Sequence, residues 1–180
     1  MDIGREHRNM TTPIIINFLT VGRVQEFWPL FNQLLKDDFP GYTDTVVNYL
    51  LMKMYPAYAF EYWLKTRQKT IIIAETDVKI VGFAVIDSSY GGVSMCRWLG
   101  VSKEYRKKGV GRLIFDKWKD MAIRQGCHKI EVASQENAKD FYKKIGLTLE
   151  GKRLNSYFGI DQYIFGLVIG QPNDQAITQA

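Results

Sequence analysis

The residues with the clearest chemical meaning sit in one short run, Arg106-Lys107-Lys108-Gly109-Val110-Gly111-Arg112. It joins a stretch that reads as a strand to one that reads as a helix. Positive side chains at the start of a helix oppose its dipole, at about a few tenths of a kcal/mol each. A surface helix gains nothing by that choice. The choice makes sense if an anion occupies the helix N-terminus, where free N–H groups already point outward. Gly109 and Gly111 lack Cβ atoms, so the backbone can approach such an anion closely. The same charges, together with nearby Lys103, also fit a merely solvated face.

The glycine spacing narrows the choice of anion. A Walker loop needs G-x-x-x-x-G-K-[ST], which is not found here, and a dinucleotide fingerprint needs a third glycine where Ile114 stands. What is left is R-x-x-G-x-G at a strand-to-helix turn.

Other reactive side chains are sparse. Cys96 can attack a thioester, but neither His7 nor His128 is placed in the sequence to activate it. His128 beside Cys127 reads as a loop pair, and the chain shows no clustering of metal ligands, so no metal is expected. Glu131, on a strand, is a candidate base or a solvent-facing carboxylate. Glu75 and Asp87 stand at strand ends and are weaker candidates.

The surrounding elements must position these groups. Ile14–Leu19 reads as a strand. Val24, Phe27, Phe31, Leu34 and Leu35 recur at helical spacing. A second helix carries Val46, Val47, Leu50, Leu51 and Met54, capped by Thr43 or Asp44 and ended by Pro56. Phe60, Trp63 and Leu64 suggest a third. Strands follow at Lys69–Glu75, Lys79–Asp87 and Val93–Val101. A helix opens near Gly109 and ends at Gly126. Lys129–Ala133 is a strand, Asn137–Ile145 a short helix, and Leu147–Leu154 and Gln162–Ile169 close the order β-α-α-α-β-β-β-α-β-α-β-β. That is a mixed α/β layer rather than a regular doubly wound sheet.

The length of 180 residues suits one domain, and 46% hydrophobic with 24% charged residues suits a globular one. The net charge is +5, concentrated in the basic turn. A nucleic-acid binder is disfavoured because no strand carries the aromatic pattern of an RNA-recognition sheet. Two cysteines and a charged start, Met1 to Arg8, point to a reduced, cytoplasmic protein without membrane association. One domain over residues 1–170 and a polar, flexible tail over 171–180 are expected.

The run Trp98-Leu99-Gly100-Val101-Ser102-Lys103-Glu104-Tyr105-Arg106-Lys107-Lys108-Gly109-Val110-Gly111 resembles the [QR]-x-x-G-x-[GA] signature of the GNAT superfamily of N-acetyltransferases. Asn137-Ala138-Lys139-Asp140-Phe141-Tyr142-Lys143-Lys144-Ile145-Gly146-Leu147 resembles the family's second block, N…A-x-x-F-Y-x-x-x-G-F. Strong resemblance spans about Lys69 to Ile169. Lys103 replaces a common proline and Leu147 a common phenylalanine.

The resemblance implies a mixed, mostly antiparallel seven-stranded sheet, with helices on both faces and the fourth and fifth strands splayed. It implies acetyl-CoA as cosubstrate, no metal, and a small-molecule or peptide amine as acceptor. Homodimers through the last strands are common among such relatives. Backbone groups of Leu99, Gly100 and Val101 would pair with the pantetheine arm. The turn Arg106, Lys107, Lys108, Gly109, Val110, Gly111 and Arg112 would bind pyrophosphate. Asn137 would touch the cofactor arm, and Tyr142 would lie near its sulfur. Chemistry fits that placing of Tyr142, since a thiolate leaving with pKa about 8.5 can take a proton from a phenol. The fourth strand, where many relatives keep their base, has no carboxylate, so Glu131 on the fifth strand is the candidate base, with water the alternative.

Tyr42, Tyr55, Tyr58, Tyr62 and Trp63 either line an acceptor pocket or fill core. Asp37, Asp38, Asp44 and Glu61 either attract a cationic amine or cap helices. A non-catalytic acyl-CoA-binding domain on the same fold is the alternative function.

Overall fold

The computed structural model describes residues 13–178. The charged start, with His7, and the last two tail residues lie outside them. Seven strands form one sheet: β1 (Ile15–Phe18), β2 (Lys69–Glu75), β3 (Ile80–Asp87), β4 (Val93–Val101), β5 (Lys129–Ser134), β6 (Thr148–Arg153) and β7 (Gln162–Val168). Their spatial order is β1-β2-β3-β4-β5-β7-β6. β4 and β5 pair in parallel, and every other neighbouring pair is antiparallel.

Helices cover both faces. On one side lie α1 (Val24–Asp38), α2 (Asp44–Tyr49) and α3 (Ala57–Lys65), and on the other α4 (Val110–Arg124) and α5 (Lys139–Lys144). A short α6 (Asp174–Thr178) stands within the polar tail. The alternation of β2 sends Ile71 and Ile73 into the core under α1–α3, and Ile72 and Ala74 into the core under α4. Burial on both sides explains why β3 is apolar almost without interruption.

The second predicted helix differs from expectation. Thr43 caps it, its side chain accepting from the Val46 amide, but after Tyr49 the coil widens into a π-helix over Leu50–Met54. The closing bond runs from Tyr55 N–H to Leu50 O at 2.7 Å, five residues back. Such insertions are concentrated at functional sites. Pro56 then caps α3 rather than only ending its predecessor.

Two irregularities shape the middle of the sheet. Val85 faces Trp98 but Ile86 faces Cys96, so Arg97 is an extra residue in β4. Bulges of this kind bend a strand and increase its twist. Beyond the bulge, β4 leaves its other neighbour. Pairing with β5 runs only from Val93↔Lys129 to Cys96↔Val132, while β4 continues to Val101.

Candidate functional site

The gap between β4 and β5 opens into a cleft of about 1240 Å³ that crosses the molecule. One end is lined by Arg106, Lys107 and Gly111, the middle by Cys96, Leu99, Ser134 and Tyr142, and the far end by Tyr55, Asp87, Arg97 and Phe158.

The strand register determines which backbone groups face the slot. Ser102 N–H bonds Val81 O at 2.8 Å. With Gly100 opposite Phe83 and Leu99 opposite Ala84, the alternation turns the polar groups of Trp98 and Gly100 toward β3. Those of Leu99 and Val101 face the gap, and Val101 O is already taken by Arg106 Nε at 2.8 Å. The groups free to pair with an extended ligand therefore belong to Leu99 and to the Val101 amide. Gly100 serves packing instead: a Cβ there would stand 2.8 Å from Leu34 Cδ1 of α1.

In the basic turn, Lys107 and Gly109 have left-handed backbones, with φ 58° and 85°. Gly109 is the residue before α4, and nothing crowds its Cβ position, so its glycine is required by conformation. Gly111 has a different reason. A Cβ there would lie 2.9 Å from Phe141 Cε2, so this glycine seats α4 against α5. The amides of Val110, Gly111 and Arg112, in the first turn, have no intrahelical acceptor and stay available to an anion.

The side chains of the turn are partly committed elsewhere. Arg106 pairs with Asp38, and Arg112 pairs with Asp116 at 2.9 Å on the outer face of α4. Lys108 rests 5.6 Å from the Tyr105 ring centre. Among these cations, Lys107 and Arg106 line the cleft. The turn thus presents chiefly main-chain N–H groups and a positive field.

Asn137 Nδ2 donates to Asp38 O at 3.2 Å, and Gly41 N–H donates to Gln135 Oε1 at 3.3 Å. The segment after α1 is thereby tied across the cleft to the β5–α5 connection. Among the described residues, two buried polar atoms of cleft-lining residues, Trp98 Nε1 and Gln135 Nε2, make no well-formed hydrogen bond, and the hydroxyls of Tyr55 and Tyr42 are the groups that influence them.

Tyr142 is buried against Phe141 and Phe165 and faces the cleft. Burial pushes its hydroxyl well above the usual phenol range, and proximity to Cys96 adds to the shift. It is a neutral donor, not a base. Cys96 is itself fully buried, its thiol pushed up to about 12 by desolvation. It donates toward Trp98 O at 3.3 Å and is no nucleophile in this state.

Glu131 does not reach the cleft. It sits 3.5 Å from Lys129, which bonds Glu150 more tightly at 2.6 Å. Glu75 is also remote: Arg23 holds its carboxyl below the ordinary value. Asp87 does line the cleft, but both its oxygens are engaged, one by Lys69 and one by Arg97. Tyr42, Tyr55 and Trp63 line the far end, whereas Tyr58 and Tyr62 are exposed outside it. Asp44 and Glu61 also lie off the cleft, Glu61 accepting from Gln25 at 3.1 Å.

Sequence reasoning missed Arg97, Gln135, Tyr157 and Phe158 as cleft residues. A bulge has no reliable pattern in a single sequence, and the connection between the last two strands, which carries Tyr157 and Phe158, has no periodicity to mark it. Among the described residues no group of three or more His, Cys, Asp or Glu could hold a metal, and no helix is long and apolar enough to cross a membrane.

The family model for Acetyltransferase (GNAT) family matches residues 28–147. The fold is similar to that of the PaiA N-acetyltransferase from Thermoplasma acidophilum, solved with coenzyme A. That pair has a TM-score of 0.73 at 14% identity, covering 87% of this chain and 99% of that one. It is also similar to YncA from Salmonella typhimurium, solved with its cofactor acetyl-CoA. Here the TM-score is 0.70 at 17% identity, covering 89% and 98% of the two chains. A GNAT-family acetyltransferase from Streptococcus pneumoniae gives 0.71 at 20% identity, covering 88% and 100%.

Proposed function

Because this chain belongs to the GNAT acetyltransferase family, we propose that it transfers an acetyl group from acetyl-CoA to a primary amine by direct attack in a ternary complex. The observation that carries the reading is the parting of β4 from β5 after Cys96, with the basic turn at one end and an open chamber at the other. A thioester arm laid along β4 would add the missing strand, with its pyrophosphate on the α4 amides and its acyl end beside Tyr142.

Acetyl-CoA supplies an activated acyl carbon that a neutral amine can attack unaided. The protein's part is placement and proton handling. Backbone groups of Leu99 and the Val101 amide hold the arm. Tyr142 donates its O–H toward the departing sulfur. Its raised pKa makes full proton loss costly, so it acts by hydrogen bonding to charge as that charge appears. Among the described residues no carboxylate in the chamber is free to serve as base, since Asp87 is shared by two cations. Water entering through the open far end takes the amine proton.

The test is release of free CoA thiol from acetyl-CoA with a panel of amines, with products checked by mass for one added acetyl group. Amine-dependent release is expected. Tight CoA binding without turnover on any amine would refute catalysis and leave an acyl-CoA-binding domain.

A further inference from the structure

The far chamber holds a cationic edge that acyl transfer itself does not need. Arg97 owes its position to the β4 bulge, which places it immediately after Cys96, where the slot begins. Its Nε donates to Asp87. Among the described residues no hydrogen bond or ion pair engages its two terminal nitrogens. The side chain is 42% exposed and lines the cleft, near Tyr55 and Tyr157. Lys69 grips the other Asp87 oxygen and lies 4.9 Å from the Trp63 ring centre. Two cations thus share one carboxylate, and the chamber carries excess positive charge. The remaining charged lining residues, Asp37, Asp38, Arg106 and Lys107, stand at the pyrophosphate end.

The walls are apolar and aromatic. Tyr42 meets Phe158 edge-on at 5.8 Å, and Tyr55 meets Trp98 edge-on at 5.4 Å. Phe158 holds a left-handed backbone, φ 62°, which is an outlier for a bulky residue. Its loop, between β6 and β7, spends that strain to bring a ring over the chamber.

We infer that the acceptor is an α-amino acid with an apolar or aromatic side chain, its carboxylate docked on the free guanidinium edge of Arg97. The inference rests on the acetyl-transfer reading of the cleft. A guanidinium edge matches a carboxylate with two parallel hydrogen bonds. Arg97 lines the same cleft as Tyr142, so a carboxylate held on its guanidinium turns the α-amine of the same molecule toward the acyl end. A polyamine would meet like charge at the same place.

Binding tests this without turnover. The CoA-saturated protein is titrated calorimetrically with N-acetylphenylalanine and N-acetylleucine, each against its own carboxamide. These are product-like probes whose acylated nitrogen no longer titrates. The carboxylates should bind at least about 10-fold more tightly than their neutral twins, as charge-assisted bidentate pairs do. In Arg97→Gln the gap should fall below about 2-fold, with CoA affinity in the same variant reporting an intact fold. Equal affinities in wild type, no binding of either probe, or a gap that survives Arg97→Gln would overturn the proposal. A clear gap with no thiol release from acetyl-CoA and any amine would instead refute the transferase reading alone.

Discussion

Tyr142 shows how burial limits what a residue can do. Its hydroxyl stays protonated because desolvation raises its pKa, so it can give a hydrogen bond but cannot act as a base. Tyr142→Phe should lower kcat about 10- to 100-fold, at or below what one hydrogen bond to developing charge contributes, since a thiolate leaves fairly well without help. CoA affinity should stay within about 2-fold, because the charge that needs the hydroxyl exists only as the C–S bond breaks. Steady-state turnover with calorimetry in parallel checks both, and wild-type kcat would remove Tyr142 from the mechanism. The two glycines of the turn should separate in the same way. Gly109→Ala puts a side chain on a left-handed backbone at about 1–2 kcal/mol of local strain and should weaken CoA binding. Gly111→Ala pushes on Phe141 and should lower thermal stability through the packing of α4 on α5. Both variants should melt below wild type; an unchanged melting temperature in Gly111→Ala would contradict the Phe141 contact, and unchanged CoA affinity in Gly109→Ala would contradict the role of its backbone. The sequence identified both positions but offered one reason for them, anion approach. The second reason is a contact with a residue thirty places along the chain, and spacing does not reveal it.

Among the elements, the join of β2 to the start of α1 carries a prediction about pH. Arg23 bonds Glu75 at 2.6 Å, and Asn17 bonds the same carboxylate at 2.8 Å. Arg23 is the main cause of the lowered Glu75 pKa. A carboxyl whose folded pKa is depressed stabilises the fold above its unfolded value. That contribution is lost as pH falls through the folded one. Melting temperature should therefore drop on acidification below about pH 4.5, and Glu75→Gln should flatten part of that drop. An unchanged slope in the variant would remove the clamp from the stability of this edge. Element types were largely legible from periodicity, including all seven strands and the helix following the basic turn. The π-helix at Leu50–Met54 and the bulge at Arg97 were not, because each adds one residue to a pattern without changing its chemistry. The β4–β5 gap was legible only through family resemblance. In the structure its cause is local: a bulge turns β4 just where parallel pairing stops.

For the whole molecule, the cleft joins a positive turn, an extended slot and an aromatic chamber in one line. A ligand filling it should stabilise the fold by linkage, about 2.7 kcal/mol at a hundred times its Kd. Melting temperature should climb with CoA concentration, and raised ionic strength should reduce the effect, since part of the attraction is the field of the turn. A melting temperature indifferent to CoA would contradict the placement of the cofactor. The direct-transfer claim is tested most squarely by initial velocities with acetyl-CoA and an accepted amine varied together, plus intact mass of protein quenched during turnover. Direct attack predicts intersecting double-reciprocal lines and an unmodified chain, in keeping with a Cys96 thiol pushed up to about 12. Parallel lines with an acetyl group on Cys96 would contradict it.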